Sequence, residues 1–221
     1  MMEAMKHTKG TEMNDCLDKI MIPELPELEF EENGHIYKLD GAVIPSVTTI
    51  MNPLSQSLYG GIDETVLNAA AERGTAVHNA IENYTLFGID DIAPEYSGYL
   101  AACKAWYSEF SPKPIASECK VYHRILRYAG TADMLAIIDG KLILIDFKTS
   151  SSVNKMLTGV QTEAYAKAYE SHGINVDGKA ILHLKKNGKF SWVYYDRNDS
   201  ASWDVFGALL TVFNHIEKYK K

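Results

Sequence analysis

The segment YAGTADMLAIIDGKLILIDFKTSSS, residues 128–152, combines two aspartates and a lysine in a pattern that can do chemistry. Asp133 lies at the start of one predicted strand, Asp146 lies near the end of the next, and Lys148 follows two residues later. Residues two apart on an extended chain project from the same face, so Asp146 and Lys148 point towards one site that Asp133 can reach from the neighbouring strand. Two carboxylates beside an ammonium group form a site for a hard divalent cation.

Hydrolysis of a phosphodiester is the chemistry that such a patch supports. Mg²⁺ prefers oxygen ligands, and when bound it polarises the phosphodiester and lowers the pKa of an attacking water. Lys148 can orient or deprotonate that water, or stabilise the pentavalent transition state. The alternative is that the aspartates only begin turns and that Lys148 is a solvated charge. A buried carboxylate at the end of the apolar run LILID needs a partner, however, and this favours the site.

A histidine and two glutamates are further candidates for this site. His78 and Glu82 are four apart in GTAVHNAIENY, on one face of a predicted helix. A neutral imidazole is a good metal ligand, although a lone helical histidine is more often satisfied elsewhere or exposed. Glu82 by itself is expected to be solvated. Glu118, on the strand before Asp133, is a lower-ranked helper of the site.

A polar pair on the helix after Lys148 is also a candidate. Gln161 and Tyr165 are four apart in QTEAYAKAY, so they share one helical face. Their polar ends would fix a DNA phosphate or hold Lys148 in position. The alternative is an amide in solvent and a tyrosine in the core.

Hydrophobic periodicity and turn residues predict the elements that must position these groups. EFEENGHIYKLDGAVIPSVTTIM predicts a small hairpin or meander that ends at Pro45, after which Ser46 can cap a helix. Gly74 leaves open whether the first long helix is one helix or two. The predicted helices cover 63–84, 96–110, 154–171 and 199–219, and the predicted strands cover 115–128, 131–138, 141–147, 179–185 and 190–196.

This order of elements predicts a mixed α/β fold in which helices flank one central mixed β-sheet. The run LILIDF is almost uninterrupted and apolar, as expected for a strand that is covered on both faces. The first residues are polar and Met-rich and end at Pro23 and Pro26. We therefore expect a mobile arm over residues 1–25 and a single domain over 26–221.

The composition excludes several classes of protein. A chain of 221 residues with 46% hydrophobic and 23% charged residues is large and apolar enough to form one globular core. No stretch approaches the roughly 20 apolar residues that cross a bilayer. The start lacks the apolar run of a secretory signal, so we expect a cytoplasmic protein without membrane contact. The net charge of −7 argues against a generally basic surface but permits a local basic patch.

The cysteines argue against two kinds of site. Cys16, Cys103 and Cys119 are odd in number and widely separated, and no C-x-x-C pair occurs. We therefore expect neither a disulfide framework nor a four-cysteine zinc or iron–sulfur site.

In combination, these segments resemble the PD-(D/E)-x-K nuclease superfamily, and within it the RecB-like and lambda-exonuclease-like branch. GTAVH, YAGTAD, LILIDFKTS and QTEAYAKAY occur in that order over residues 74–170. The segment EENGHIYKLDGAVIPSVTTIM resembles the leader found on phage and prophage members. The resemblance implies a restriction-endonuclease-like core and a phage or prophage origin.

The resemblance also implies roles for individual residues. Asp133 and Asp146 would bind one or two Mg²⁺ or Mn²⁺ ions, and Lys148 would be the catalytic lysine. His78 and the backbone carbonyl of Phe147 would be further ligands. The supporting positions that it implies are Gln161 and Tyr165, which match the Q-x-x-x-Y element, and Glu118, which matches a less constant acidic position.

The chain departs from the family pattern at two points. Ala132 precedes Asp133 where the superfamily's name has proline, a substitution that this branch tolerates. Some related nucleases carry four cysteines for an iron–sulfur cluster, and the three cysteines here cannot form one.

Contact with DNA requires basic surface despite the acidic balance of the chain. Trp192 and Tyr194 alternate onto one strand face, where they would stack on bases or, more commonly, pack in the core. The basic candidates are Lys120, His123, Arg124 and Arg127 on one predicted strand, and Lys185, Lys186 and Lys189 around the Asn187-Gly188 turn.

We therefore expect a metal-dependent deoxyribonuclease, acting as an exonuclease in recombination or repair. Its expected partners are DNA and a single-strand annealing protein or a helicase. The first alternative is a DNA-binding or scaffolding subunit that keeps the fold but does not cleave. The second is an unrelated small-molecule activity with structural carboxylates. The sequence leaves open the polarity, exonuclease or endonuclease action, DNA or RNA preference, and the oligomeric state.

Overall fold

The computed structural model describes residues 20–220, so residues 1–19 of the predicted arm lie outside the described residues. The described strands are β1 (Leu28–Glu31), β2 (Ile36–Leu39), β3 (Ala42–Ile44), β4 (Lys113–Tyr122), β5 (Ala129–Ile138), β6 (Lys141–Lys148), β7 (Gly178–Leu184) and β8 (Phe190–Asp196). The described α-helices are α1 (Val47–Ile50), α2 (Asn52–Tyr59), α3 (Glu64–Phe87), α4 (Ser97–Phe110), α5 (Lys155–Ser171) and α6 (Ser200–Tyr219), and a 3₁₀ turn over Pro94–Tyr96 precedes α4. Within these residues, no helix has both the length and the apolar composition needed to cross a membrane.

The central sheet has five strands in the order β4-β5-β6-β7-β8. Strand β6 pairs antiparallel with β5 and parallel with β7, and the other neighbours are antiparallel. The parallel pair requires a crossover connection, which α5 supplies. The predicted mixed α/β fold with a central mixed sheet is therefore confirmed.

Strand β6 separates two hydrophobic cores, one on each face of the sheet. Leu142 and Leu144 pack in the core formed with α5 and α6. Ile143, Ile145 and Phe147 pack in the core formed with α3 and α4. Side chains alternate between the two faces of a strand, so a strand with helices on both sides needs an uninterrupted apolar run. The prediction that LILIDF is covered on both faces is confirmed.

The predicted meander forms a small sheet of β1, β2 and β3 that packs beside the start of β5. Tyr37 of β2 is buried, and its hydroxyl lies 2.8 Å from Oγ1 of Thr131 on β5. Ser46 follows the meander and accepts a hydrogen bond from the backbone N–H of Thr49, so it caps α1 as predicted. The meander thus braces the strand that carries Asp133.

Helix α3 is continuous, which settles the question that Gly74 left open. It begins after Asp63, whose carboxylate accepts a hydrogen bond from the backbone N–H of Thr65, and it ends at Gly88 in the left-handed conformation. An interior glycine costs roughly 1 kcal/mol relative to alanine, and burial of Val77 and Ile81 against the sheet outweighs it.

The first strand of the central sheet is shorter than predicted. It ends at Tyr122, and a turn then leads into β5. His123 stabilises this turn, because its Nδ1 accepts from the backbone N–H groups of Ile125 and Leu126 at 3.3 and 3.2 Å. No glycine or proline marks the turn, and for this reason the sequence pattern predicted that the strand continues to residue 128. Lys120 remains on β4, and the turn holds the other basic residues of that set, namely His123, Arg124 and Arg127.

Trp192 and Tyr194 share a face of β8 but differ in their surroundings. Trp192 stacks on Trp106 in the core, with ring centroids 5.8 Å apart. Tyr194 is exposed and lies over Gly178, where a Cβ atom would clash with its ring. Trp192 is therefore a core residue rather than a base-stacking one.

Candidate active site

The candidate site lies where strands β5 and β6 separate. Their backbone pairing ends at Met134 and Ile145, one residue before the two aspartates would face each other. Instead, the backbone N–H of Phe147 donates to Oδ2 of Asp133 at 2.6 Å. A buried N–H group must find an acceptor, so this bond fixes the Asp133 carboxylate between the strands.

Asp146 and Lys148 face the same side of β6, as alternation along the strand predicts. Nζ of Lys148 lies 2.6 Å from Oδ2 of Asp146. The side chain of Asp146 is 3% exposed and that of Lys148 is 28% exposed, so the pair reaches solvent through its ammonium end. No donor among the described residues is aligned for a hydrogen bond with Oδ2 of Asp146, and the ion pair is its only polar contact there.

An acidic cluster with one imidazole lies beside this pair. Nδ1 of His78 on α3 is 3.4 Å from Oε1 of Glu118 and 3.5 Å from Oδ1 of Asp133. One ligand atom from each of the three residues lies within 4.8 Å of the others. Glu118 was the lower-ranked helper in sequence, yet the structure places it against the imidazole. It adopts a positive φ of 46° within β4, an uncommon conformation for a glutamate.

The electrostatics of the cluster follow from crowding of buried carboxylates. Burial raises the pKa of Asp133, against the nearby charges of His78 and Lys148. Burial also raises the pKa of Asp146, Lys148 opposes this shift, Asp133 adds to it, and the resulting pKa is about 6. Burial lowers the pKa of His78, but Asp133 and Glu118 outweigh it and raise that pKa to about 9.

The same buried carboxylates act on the ammonium group of Lys148. Burial lowers the pKa of Lys148, but Asp146 and Asp133 more than offset this effect and raise it. Without further cations, the group stays protonated, and three carboxylates share one lysine and one imidazole. With all three carboxylates ionised, the site therefore has one negative charge in excess when the imidazole is protonated and two when it is neutral.

A divalent cation fits this donor set. Carboxylate oxygens and an imidazole nitrogen are ligands for Mg²⁺ or Mn²⁺, and three of them are already within mutual reach. The buried carboxylate of Asp146 lies near Asp133, and this second carboxylate helps to raise its pKa. A bound cation would also relieve the shortage of positive charge. The residues that would hold it are His78, Glu118, Asp133 and Asp146.

Glu82 does not join the site. It lies one turn beyond His78 on α3 and is half-buried. No hydrogen bond or ion pair involves it within residues 20–220. Helical spacing suggested that Glu82 lies beside the imidazole of His78. In the structure, Glu118 of β4 lies there instead.

Gln161 and Tyr165 lie on α5 and bond to each other, with Nε2 of Gln161 donating to the tyrosine hydroxyl at 3.2 Å. Tyr165 is 5% exposed, and burial is the main cause that raises its pKa, with Asp146 contributing. A Cβ atom on Gly130 would lie 2.4 Å from its ring, so β5 can approach this side chain only at a glycine. Tyr165 is therefore a core residue next to the site, and Gln161 is half-buried above it.

Arg73 and the serine run after Lys148 were not singled out in the sequence. Nε of Arg73 on α3 donates to Oγ1 of Thr149 at 3.3 Å, next to the lysine. Ser150, Ser151 and Ser152 are exposed in the loop that follows. The available signals were the position of Arg73 directly before GTAVH and the hydroxyl run TSSS directly after Lys148.

Comparison with known proteins adds similarity of structure only. No family model matches the chain, and no curated protein matches it. The crystal structure of SSO0001 is 14% identical with a TM-score of 0.44, covering 92% of this chain and 83% of that chain. The alkaline exonuclease LHK-Exo from Laribacter hongkongensis is 13% identical with a TM-score of 0.36, covering 68% and 91%. The same exonuclease in complex with dAMP is 14% identical with a TM-score of 0.34, covering 66% and 89%.

Proposed function

We propose that this chain is a metal-dependent deoxyribonuclease that hydrolyses DNA phosphodiester bonds, acting as an exonuclease in recombination or repair. The observation that carries the proposal is the Asp146–Lys148 pair, 2.6 Å apart, which opens to solvent beside the His78–Glu118–Asp133 cluster. An ammonium next to a divalent-cation site is the arrangement that stabilises a phosphoryl transition state.

The ion would be Mg²⁺ or Mn²⁺, one or two in number, held by side chains of the cluster and by the backbone carbonyl of Phe147. When bound, it polarises the phosphodiester and lowers the pKa of an attacking water. Asp133 accepts from the N–H of Phe147, and this bond holds the peptide next to the carboxylate in one orientation.

Lys148 acts on the phosphate as a cation. Its partner Asp146 keeps the ammonium charged and fixes its direction. The solvent-exposed part of the Lys148 side chain faces the substrate. The ammonium donates hydrogen bonds to a non-bridging oxygen, where negative charge grows as the water attacks. The 2.6 Å pair with Asp146 is the contact that supports transition-state stabilisation by a charged lysine.

Nuclease action is tested with end-labelled linear duplex DNA and with closed circular DNA, each in Mg²⁺, Mn²⁺ or EDTA. The expected result is release of nucleotides from linear DNA with either metal, none in EDTA, and no opening of the circle. Opening of the circle would replace the exonuclease with an endonuclease. Absence of cleavage in all conditions would favour the non-cleaving DNA-binding subunit.

The site assignment is tested with Asp146→Asn against a matched control, Asp139→Asn. Asp139 lies in the turn between β5 and β6, at the opposite end of the same strands, and has a positive φ of 49° that asparagine tolerates. The first variant should lose cleavage and keep the circular dichroism spectrum, and the second should behave as wild type. Wild-type cleavage by pure Asp146→Asn protein would show that the assignment is wrong.

A further inference from the structure

A cleft of about 710 Å³ opens beside Lys148 and extends away from the acidic cluster. Its floor is the loop after β6, which carries exposed serines at 150, 151 and 152. Two contacts hold this loop: Nε2 of His183 lies 2.6 Å from the carbonyl oxygen of Ser150, and Arg73 donates to Thr149. The cleft is therefore built on strands and helices of the central fold.

The lysine, arginine, aspartate and glutamate content of the cleft lining is entirely basic. Among the described residues that line it, four are lysine or arginine and none is aspartate or glutamate. The whole chain has 29 acidic and 22 basic residues, so an acid-free lining departs from the rest of the protein. A local positive potential of this kind attracts a polyanion. The four residues are Arg73 on α3, Lys148 on β6, and Lys185 and Lys186 on the β7–β8 hairpin, and the last two form the basic wall.

The fold holds the two lysines of the hairpin in place. A Cβ atom on Gly98 would lie 1.8 Å from the carbonyl oxygen of Lys186, so the start of α4 packs directly on this backbone. The backbone N–H of Lys185 donates to the carbonyl oxygen of Lys189 at 2.9 Å and closes the turn. The charges of this wall therefore have a fixed backbone, and only their side chains move.

The other wall is apolar and exposed. It is formed by the end of α2 and the start of α3, where Tyr59 is 36%, Ile62 43%, Val66 58% and Leu67 44% exposed. Exposed apolar side chains gathered on one side of a cleft mark a binding surface. Tyr59 and Lys148 line the same cleft, so the apolar wall and the lysine are open to one ligand.

We propose that this cleft binds one unpaired nucleic-acid strand, with its phosphates on Arg73 and on the Lys185–Lys186 wall and its bases on the Tyr59–Leu67 wall. The inference rests on the proposed function, which makes DNA the substrate, and adds the form in which the strand reaches Lys148. A paired strand stacks its bases inside the duplex and presents phosphates outwards. Only an unpaired strand offers base faces to an apolar wall and phosphates to a basic wall at once.

The experiment measures binding without cleavage. Fluorescence anisotropy in EDTA compares a labelled 12-nucleotide mixed-sequence single strand with a 12-base-pair duplex. The apolar-wall variant is Tyr59→Ala/Leu67→Ser. Its matched control is Tyr219→Ala/Val212→Ser, which removes equivalent exposed groups from α6, away from the cleft. The apolar-wall variant should bind the single strand about tenfold more weakly and the duplex with nearly unchanged affinity, because stacking is lost. The control should match wild type.

The basic wall is tested with Lys185→Gln/Lys186→Gln against Lys141→Gln/Lys218→Gln, two exposed lysines outside the cleft. Loss of two phosphate contacts should flatten the slope of log affinity against log salt by about 1.4 for the single strand. An unchanged salt slope in the basic-wall variant would overturn the proposal. It would also be overturned if the apolar-wall variant bound the single strand as wild type does, or lost affinity equally for the single strand and the duplex. A change in oligomeric state of that variant by light scattering would overturn it as well, because the apolar wall would then be a protein interface.

The two proposals fail separately. If wild type binds the single strand as expected but never cleaves DNA in Mg²⁺ or Mn²⁺, the nuclease function is wrong and the strand-binding cleft stands. If wild type cleaves but the apolar-wall variant binds the single strand normally, the cleft proposal alone is wrong.

Discussion

Two lysine–carboxylate pairs lie in the same sheet, and they differ in what can reach them. Lys179 of β7 pairs with Glu163 of α5, and their side chains are 0% and 2% exposed. Lys148 pairs with Asp146 along β6, and their side chains are 28% and 3% exposed. Both pairs bury a carboxylate, but Lys148 lines a cleft of about 710 Å³, whereas Glu163 lines a small pocket of about 50 Å³.

The charge around the two pairs differs as well. Glu163 and Lys179 balance each other one to one, and burial is the main cause that raises the pKa of Glu163. Asp146 shares its surroundings with Asp133, and this second carboxylate helps to raise its pKa to about 6. A buried ion pair by itself is therefore no sign of function. The combination of an excess of buried acid and an open side is what indicates a cation and a substrate.

The largest expected effect separates the two lysines by activity. Lys148→Met should lower the cleavage rate about 1000-fold, because several kcal/mol of transition-state stabilisation are lost. Lys179→Met should cleave at a rate close to that of wild type at a temperature where it is folded. Single-turnover cleavage of labelled linear duplex measures both. If both variants lost the same fraction of the cleavage rate, the proposed difference between a catalytic and a structural lysine–carboxylate pair would be wrong.

Stability should show the opposite order. Lys179→Met leaves the buried carboxylate of Glu163 without a partner, so the free energy of unfolding should fall by about 3 to 5 kcal/mol. Replacing both partners, as Glu163→Leu/Lys179→Met, should recover most of this loss. Urea unfolding followed by circular dichroism gives these values. A single variant as stable as wild type would contradict a structural role for the pair.

Metal affinity distinguishes the two glutamates that were candidates for the site. Glu118→Gln should weaken Mn²⁺ binding about 30-fold, since a residue within reach of the cation loses its charge. Glu82→Gln, on the same helix as His78 and outside the cluster, should bind Mn²⁺ as wild type does. Isothermal titration calorimetry measures both. If Glu82→Gln is the weaker binder, the helical-face prediction is right and the cluster is not the metal site.

The change in Mn²⁺ affinity between pH 7 and pH 8 should be the smallest of these effects. A ligating imidazole must be neutral, so binding expels a proton from His78 at any pH below its pKa of about 9. Affinity should rise about tenfold from pH 7 to pH 8 and level off above pH 9. Below about pH 6, protonation of Asp146 should steepen the fall.

Calorimetry in buffers with different ionisation enthalpies counts the released proton. His78→Gln removes that proton and should bind Mn²⁺ with an affinity that is nearly constant from pH 7 to pH 9. A wild-type affinity that is flat over the same range would show that His78 does not bind the metal.

Much of the fold could be predicted from local patterns. The almost uninterrupted apolar run LILIDF predicted burial on both faces of β6, and the Asn187-Gly188 turn predicted the β7–β8 hairpin. Each helix start at Ser46, Asp63, Asn154 and Asp199 carries a capping side chain. The turn at His123 was missed, because a side-chain acceptor there replaces the usual glycine or proline.

The sequence by itself determined which groups can do chemistry and which of them share a strand face. Alternation is set by the two backbone dihedrals of each residue, so Asp146 and Lys148 had to lie on one side of β6. Only the tertiary structure decided that Glu118 rather than Glu82 contacts His78, and that apolar and basic side chains line one cleft beside Lys148. These contacts join segments far apart in the chain, and they depend on how α3 packs against the sheet, which no local pattern encodes.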